Sequence, residues 1–105
     1  MKDIGKLMKQ AKEMQERLTS MQQELANLEI EGRSGGGFVR VAMNGEGLGK
    51  RVHIDPEVFK ADEAEILEDV VAAAVNDARD KVEARRKEEM QKLTGGLPLP
   101  PGLQF

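Results

Sequence analysis

Eight apolar residues within the first 28 positions follow one another at alternating spacings of three and four, and this regularity constrains the fold more than any other feature. They are Ile4, Leu7, Ala11, Met14, Leu18, Met21, Leu25 and Leu28. The pattern is the a/d stripe of a heptad repeat and predicts a helix from about residue 2 to residue 28, roughly 40 Å long. So narrow a stripe favours pairing with another helix. Packing only on the chain's own sheet and second helix is the alternative.

Alternation with a period of two replaces the heptads after residue 28 and predicts three short strands. Glycines at 35–37 separate the first two strands, and Asn44-Gly45 opens a turn before the third. Asp55-Pro56 ends the third strand, because proline cannot join a ladder of hydrogen bonds. The positions predicted to share the apolar face are Val39, Val41 and Met43 on the second strand and Leu48, Lys50, Val52 and Ile54 on the third.

A long final helix is predicted to start near Asp62, where acidic residues suit the positive end of the helix dipole. Its predicted buried stripe is Leu67, Val70, Val71, Ala74, Val75, Ala78 and Val82. Beyond Val82 the sequence is almost wholly charged up to Leu93, and Gly95-Gly96 ends the helix. The last part of the helix is therefore expected to have little apolar surface to bury.

These elements predict an α+β fold: an α-β-β-β-α protomer with a three-stranded antiparallel meander and two long helices that overhang the sheet. Residues 1–94 are predicted to form a single domain, and residues 95–105 a Gly/Pro-rich tail. The long heptad stripe and the open strand edges predict a homodimer.

Composition excludes several classes of function. The 105 residues include no cysteine, which removes disulfides, thiolate catalysis and cysteine-based metal sites. The only histidine, His53, has no cysteine partner, and residues 45–50 lack the spacing of a phosphate-binding loop. The longest apolar run covers only residues 70–75, and no signal peptide is present, which predicts a cytoplasmic protein without a membrane partner. We therefore expect no enzyme, cofactor, metal site or small-molecule substrate.

Charge is unevenly distributed along the chain. The whole protein has a net charge of −3, but residues 1–12 carry +3, residues 55–69 carry −6 and residues 79–92 carry +2. A chain with this distribution can present a basic pole to a polyanion. The candidate DNA-binding residues are Lys2, Lys6, Lys9 and Lys12 on the first helix and Arg79, Lys81, Arg85, Arg86, Lys87 and Lys92 on the last. Arg85 and Arg86 are favoured because a guanidinium can bind a phosphate through two hydrogen bonds.

Composition also restricts the kind of nucleic acid. The chain has no Trp and no Tyr, so stacking platforms for single strands are poorly supplied. Double-stranded DNA bound mainly through its phosphates fits best. The alternative is a coiled-coil scaffold that binds another protein and for which the basic helix ends are incidental.

The sequence resembles the YbaB/EbfC family of nucleoid-associated proteins over almost its whole length. The resemblance rests on an ordered set of segments at residues 8–15, 35–41, 44–45, 52–56, 67–78 and 99–102. It implies a bacterial homodimer of α-β-β-β-α protomers whose protruding helices grip duplex DNA, without catalysis. It also implies association with the nucleoid and a role in nucleoid organisation, gene regulation or DNA repair. The family has no strict DNA-contact motif, so the candidate residues above are chosen by charge.

Overall fold

The computed structural model describes residues 3–58 and 63–95 and confirms the predicted α-β-β-β-α order. The helices are α1 (Asp3–Asn27) and α2 (Ala64–Thr94), and the strands are β1 (Ile30–Ser34), β2 (Val39–Met43) and β3 (Gly49–Ile54). Short 3-10 turns occupy Gly35–Gly37 and Pro56–Val58. Lys2, Asp62 and residues 96–105 lie outside the described part, so the roles predicted for Lys2 and Asp62 and the predicted tail beyond Gly95 have no structural outcome.

The three strands form an antiparallel meander in the order β1-β2-β3. Gly35, Gly36 and Gly37 connect β1 to β2 with φ angles of 60°, 69° and 94°, a region that L side chains rarely adopt. As predicted, Val39, Val41 and Met43 share the apolar face of β2 and are buried. The glycines therefore allow the tight reversal, and the alternation sets which face of the strand enters the core.

The alternation predicted for β3 is only partly correct. Val52 and Ile54 pair with Val41 and Val39, so they share the apolar face. A register shift between Ala42 and Met43 places Gly49, not Lys50, opposite Met43. Such a bulge adds one residue to a strand and breaks its period of two, which a local pattern does not reveal.

The main core forms where α2 crosses β1 and β2. Ala74, Ala78 and Val82 are buried against the three apolar residues of β2. Their spacing of four places them on one face of the helix, as the sequence predicted. Small alanines allow close approach of the strand, and the backbone N–H of Arg33 donates to Asp77 at 2.9 Å. The Ser34 hydroxyl donates to the carbonyl of Val70, so β1 runs antiparallel to α2.

A second core joins the two helices beyond the sheet and corrects one expectation. Met21 and Leu25 of α1 are buried together with Met90 of α2, and Leu18, Leu28 and Leu93 pack around them. The C-terminal part of α2 thus has apolar surface to bury, contrary to the prediction, because Met90 and Leu93 stand among charged residues in sequence but face α1. Over its C-terminal half the heptad stripe therefore packs on the chain's own second helix, as in the alternative interpretation, and the favoured pairing with a further helix stays a prediction.

The N-terminal half of α1 protrudes from the rest of the protomer. Every residue from 3 to 13 is exposed, whereas Met21 and Leu25 are buried. The molecule accordingly extends 73 Å along its longest axis and only 21 and 17 Å along the other two. Both helices overhang the sheet, as expected. Neither described helix has the length and apolar character required to cross a membrane.

Candidate nucleic-acid interface

The protruding half of α1 carries a row of exposed lysines. Lys6 and Lys9 are three residues apart and share a face, and Lys12 follows one turn from Lys9. All three are exposed and form no ion pair with any described residue. Their ammonium groups are therefore available to a ligand without loss of an internal contact.

The cations on one side of α2 are engaged by carboxylates. Arg85 Nε donates to Glu89 Oε1 at 3.1 Å, and Lys92 Nζ lies 3.5 Å from the same oxygen. Lys92 Nζ is also 3.6 Å from Glu88. Spacings of three and four residues place these partners beside one another on the helix surface. A phosphate would have to compete with Glu89 for Arg85, one of the two residues the sequence favoured.

Lys81 is engaged in the same way, nearer the sheet. Its ammonium group lies 2.9 Å from Asp77 Oδ2 and donates to the carbonyl of Glu31 at 3.1 Å. Asp77 also accepts the N–H of Arg33, so Lys81 belongs to a cluster that ties β1 to α2. A structural role accounts for this lysine.

Hydrogen bonds lower the pKa of the carboxylates in these clusters. The hydrogen bond from Arg85, assisted by Lys92, holds the pKa of Glu89 below its ordinary value. The backbone hydrogen bond from Arg33, followed by that from Lys81, does the same for the pKa of Asp77. These carboxylates are thus ionised at neutral pH, and each neutralises a neighbouring cation.

The remaining candidates on α2 are Arg79, Arg86 and Lys87. Arg79 and Lys87 are exposed and form no ion pair with a described residue, whereas Arg86 is half-buried and has a partner. Arg79 and Arg86 are seven residues apart and share a face. Arg79 stands next to the buried Ala78, over the sheet, while the α1 lysines lie beyond the packed part of α1. One protomer therefore does not bring all the candidates into a single patch.

The space between the two helices is not a basic groove. An open cleft of about 480 Å³ is lined by Glu13, Glu16 and Glu24 of α1 and by Glu89 of α2. Only Arg17 and Lys92 contribute positive charge to its walls. Phosphates would be repelled from this cleft, so the lysine face of α1 is the better surface for DNA.

The sheet carries arginines that the analysis of the sequence did not single out. Arg33, Arg40 and His53 are directly paired across the three strands and share the face opposite α2. Glu31 neutralises part of this row, since it lies 2.9 Å from Arg33 and 3.8 Å from Arg40. The hydrogen bond from Arg33 lowers the pKa of Glu31. Cross-strand register brings these residues together, and only an alignment of the strands with one another could have shown it.

The chain is thus a small, elongated α+β protein of α-β-β-β-α order with lysines on its protruding helix end. The chain belongs to the YbaB/EbfC DNA-binding family, whose profile matches residues 1–97. The resemblance drawn from the sequence is thereby confirmed.

Relatives agree with this assignment, and a solved structure has a similar fold. A nucleoid-associated protein of Agrobacterium fabrum is 54% identical over 105 residues, which is 100% of this chain and 98% of that protein. A nucleoid-associated protein of Rhizobium meliloti is 50% identical, with the same coverage. The fold is similar to the crystal structure of an uncharacterized protein from Helicobacter pylori, with a TM-score of 0.78 and 24% identity, covering 88% of this chain and 97% of that one.

Proposed function

We propose that the protein is a nucleoid-associated homodimer that binds double-stranded DNA mainly through phosphate contacts from its basic helix ends. It acts by binding and not by catalysis, in nucleoid organisation, gene regulation or DNA repair. Membership of a DNA-binding family supports the ligand. The observation that carries the choice of surface is the exposed row of Lys6, Lys9 and Lys12 on the protruding half of α1.

The chemistry of these residues suits phosphates better than bases. Lysine is a flexible point charge that neutralises a phosphate without demanding a fixed orientation. Phosphate contacts hold a protein on DNA and carry no sequence information. The protein is therefore expected to bind unrelated duplexes with similar affinity. Arg79 and Lys87 would add contacts from α2, and Arg85 would add one after release from Glu89.

An uncovered part of the sheet supports dimerisation. Val52 lies on the apolar face of β3 but is 56% exposed, and Ile54 beside it is only partly buried. Val71 and Val75 of α2 are also partly buried. β3 is an edge strand of the described sheet, so its outer hydrogen-bonding groups have no strand partner there. A second protomer placed along this edge would cover both the valines and the strand.

A salt titration tests the DNA surface. We expect Lys6→Ala/Lys9→Ala to weaken binding to several unrelated duplexes by a similar factor, because the lost contacts are to phosphates. The slope of log affinity against log salt should fall by about 0.9 for each phosphate contact removed. Fluorescence anisotropy at four or more salt concentrations measures both effects.

The matched control is Lys50→Ala, which removes an exposed lysine from the sheet and not from α1. Lys50 forms no ion pair with the residues that the structure describes. This variant should leave the slope almost unchanged. Arg85→Ala/Arg86→Ala tests the α2 end in the same assay. If the α1 pair and the α2 pair both leave affinity and slope as in the wild type, the helix ends do not bind DNA.

A further inference from the structure

We propose that the protruding half of α1 pairs with the same segment of another copy and so joins neighbouring dimers bound to one DNA duplex. The proposal rests on the proposed function, since DNA is what places the dimers side by side. It concerns the apolar face of α1, which lies opposite the lysines. DNA binding as such leaves this face unused.

The apolar stripe of α1 is much longer than the helix that covers it. Leu18, Met21 and Leu25 pack on the end of α2. The stripe continues towards the N-terminus, where Ile4 is 54% and Leu7 is 62% exposed and Ala11 is exposed as well. Because α2 ends at Thr94, the next two heptads of the stripe have no helix partner among the described residues. A second helix placed there would extend an interface that already exists.

The residues that border the exposed stripe allow two copies to approach each other. Beside Ile4, Leu7 and Ala11, the flanking e and g positions of three successive heptads are Asp3, Met8, Gln10 and Gln15. Charged e and g positions usually decide which helices pair, and three of these four are neutral. The lysines occupy positions b, c and f, away from the seam. An antiparallel pair of α1 helices would therefore bring no lysine against another lysine.

The residues of the stripe and its flanks favour a second copy of the chain as the binding partner, and not DNA or an acidic protein. A polyanion needs cations, and the stripe from Ile4 to Met14 is flanked by a single one, Arg17, which lines the cleft towards α2. A copy of the stripe offers matching apolar residues at the same spacing, and it would leave Lys6 and Lys9 directed away from the contact. One helix could then bind phosphates with one face and a neighbouring dimer with the other.

The contact is too small to hold dimers together without DNA. The exposed stripe from Ile4 to Met14 is only about 15 Å long. Stable protein interfaces usually bury at least about 1,000 Å², and helices this short are marginal in water. Dimers bound next to each other on a duplex have a high effective concentration, which makes a weak contact sufficient. The contact should therefore appear as cooperative DNA binding.

The experiment compares a short duplex that accommodates one dimer with a long duplex that accommodates several. Wild type should bind the short duplex with a simple hyperbolic curve and the long duplex with a sigmoidal one. Leu7→Gln removes the central apolar residue without adding charge. It should bind the short duplex within about twofold of wild type, but lose the sigmoidal curve and roughly tenfold or more in apparent affinity for the long duplex.

The matched control is Leu48→Gln, the same change at a leucine that is 64% exposed in the loop between β2 and β3. It should leave the cooperativity intact. Crosslinking gives an independent measurement, because the chain contains no cysteine and Gln10→Cys introduces a single thiol beside the stripe. A bifunctional maleimide reacts with one thiol on each of two protomers, so on the long duplex it should link protomers of neighbouring dimers. Sedimentation under native conditions should then show species larger than a dimer, and Leu7→Gln should abolish them.

Several outcomes would overturn the proposal. Leu7→Gln could bind the long duplex as cooperatively as wild type. It could also dissociate the dimer in sedimentation, which would place the stripe inside the dimer. Removal of residues 97–105 could raise the cooperativity, which would mean that these residues of the same chain cover the stripe. Failure of the proposed function looks different, because no variant, including wild type, would then bind the short duplex.

Discussion

Glu89 links two of the candidate DNA-binding cations, since Arg85 donates to it at 3.1 Å and Lys92 lies 3.5 Å away. At the scale of single residues, such pairs decide which positive charges are available to DNA. Arg85 is engaged, whereas Lys6 and Lys9 have no ion pair with a described residue. A cation that is present in the sequence is therefore not always available to bind a phosphate.

Removing the charge of Glu89 should strengthen DNA binding. Glu89→Gln keeps the shape of the side chain, removes one negative charge and so removes the ion pairs of Glu89 with Arg85 and Lys92, while Lys92 keeps its contact with Glu88. We expect higher affinity and a salt slope that is steeper by about 0.9 for each new phosphate contact. Anisotropy titrations measure both. Glu88→Gln is the control for the change of charge, because among the described residues Glu88 forms an ion pair with Lys92 and none with Arg85. Equal effects of the two variants would show that Arg85 does not reach DNA.

Acid should destabilise the fold by protonating Glu31, Asp77 and Glu89. The pKa of each is lower in the folded protein than its ordinary value, so each contributes stability above the pKa of the unfolded chain and loses it as pH falls through the folded pKa. The free energy of unfolding should be flat near neutral pH and decline below about pH 4. Urea denaturation at a series of pH values measures this decline. Asp77→Asn should make the decline shallower, and an unchanged curve would contradict the assignment.

At the scale of elements, Gly32 permits the close contact between β1 and α2. A Cβ atom at this position would lie 2.3 Å from the nitrogen of Ala78 and 2.5 Å from the carbonyl oxygen of Ala74. Both are backbone atoms of a helix and cannot rotate away. The hydrogen bond between Arg33 and Asp77 is formed at the same crossing, so the fit of the two elements depends on this glycine.

Gly32→Ala should therefore separate the strand from the helix and lower the free energy of unfolding by about 3 kcal/mol, the upper range for overpacking. Chemical denaturation monitored by circular dichroism measures the loss. Gly49→Ala is the control, because a Cβ there would have no heavy atom within 4 Å. Similar stabilities of the two variants would mean that the helix moves aside without loss of packing.

At the scale of the whole molecule, we predict an obligate homodimer. Sedimentation equilibrium at micromolar concentration should give twice the chain mass of 11.6 kDa. Val52→Glu places a charge on the uncovered face of β3 and should shift the equilibrium towards the monomer, because a buried unpaired charge is strongly unfavourable. Leu48→Glu is the control, because it adds the same charge outside β3, in the loop between β2 and β3. A wild-type protein that sediments as a monomer would contradict the prediction.

We also predict that residues 1–94 form the single folding domain, followed by a tail at 95–105, and that residues 97–105 of this tail are dispensable for the fold. Gly95 adopts a left-handed conformation, with φ of 65°, and its N–H donates to the carbonyl of Gln91, which ends α2. All core residues of the described chain precede this cap. Truncation after Gly96 should thus leave a cooperative thermal transition with little change in midpoint. Loss of cooperativity would show that the removed residues pack on the core.

Local patterns in the sequence determined the elements and their order. The heptad spacing, the alternation around Val41 and the glycine pairs act through residues close in the chain, so helices, strands and turns can be predicted from them. The lysine row of α1 follows from the same helical period. The part of the candidate site that lies on α1 could therefore be predicted from charge and helical spacing.

The tertiary structure decided which faces meet. It divided the heptad stripe into a half covered by Met90 and an exposed half around Leu7, and it aligned Arg33 with Arg40 across the sheet. It also placed Gly49 instead of Lys50 opposite Met43, and it left Val52 exposed on the apolar face of β3. Each of these outcomes depends on contacts between residues far apart in sequence, where backbone fit and strand register determine the pairing and a local period carries no information about either.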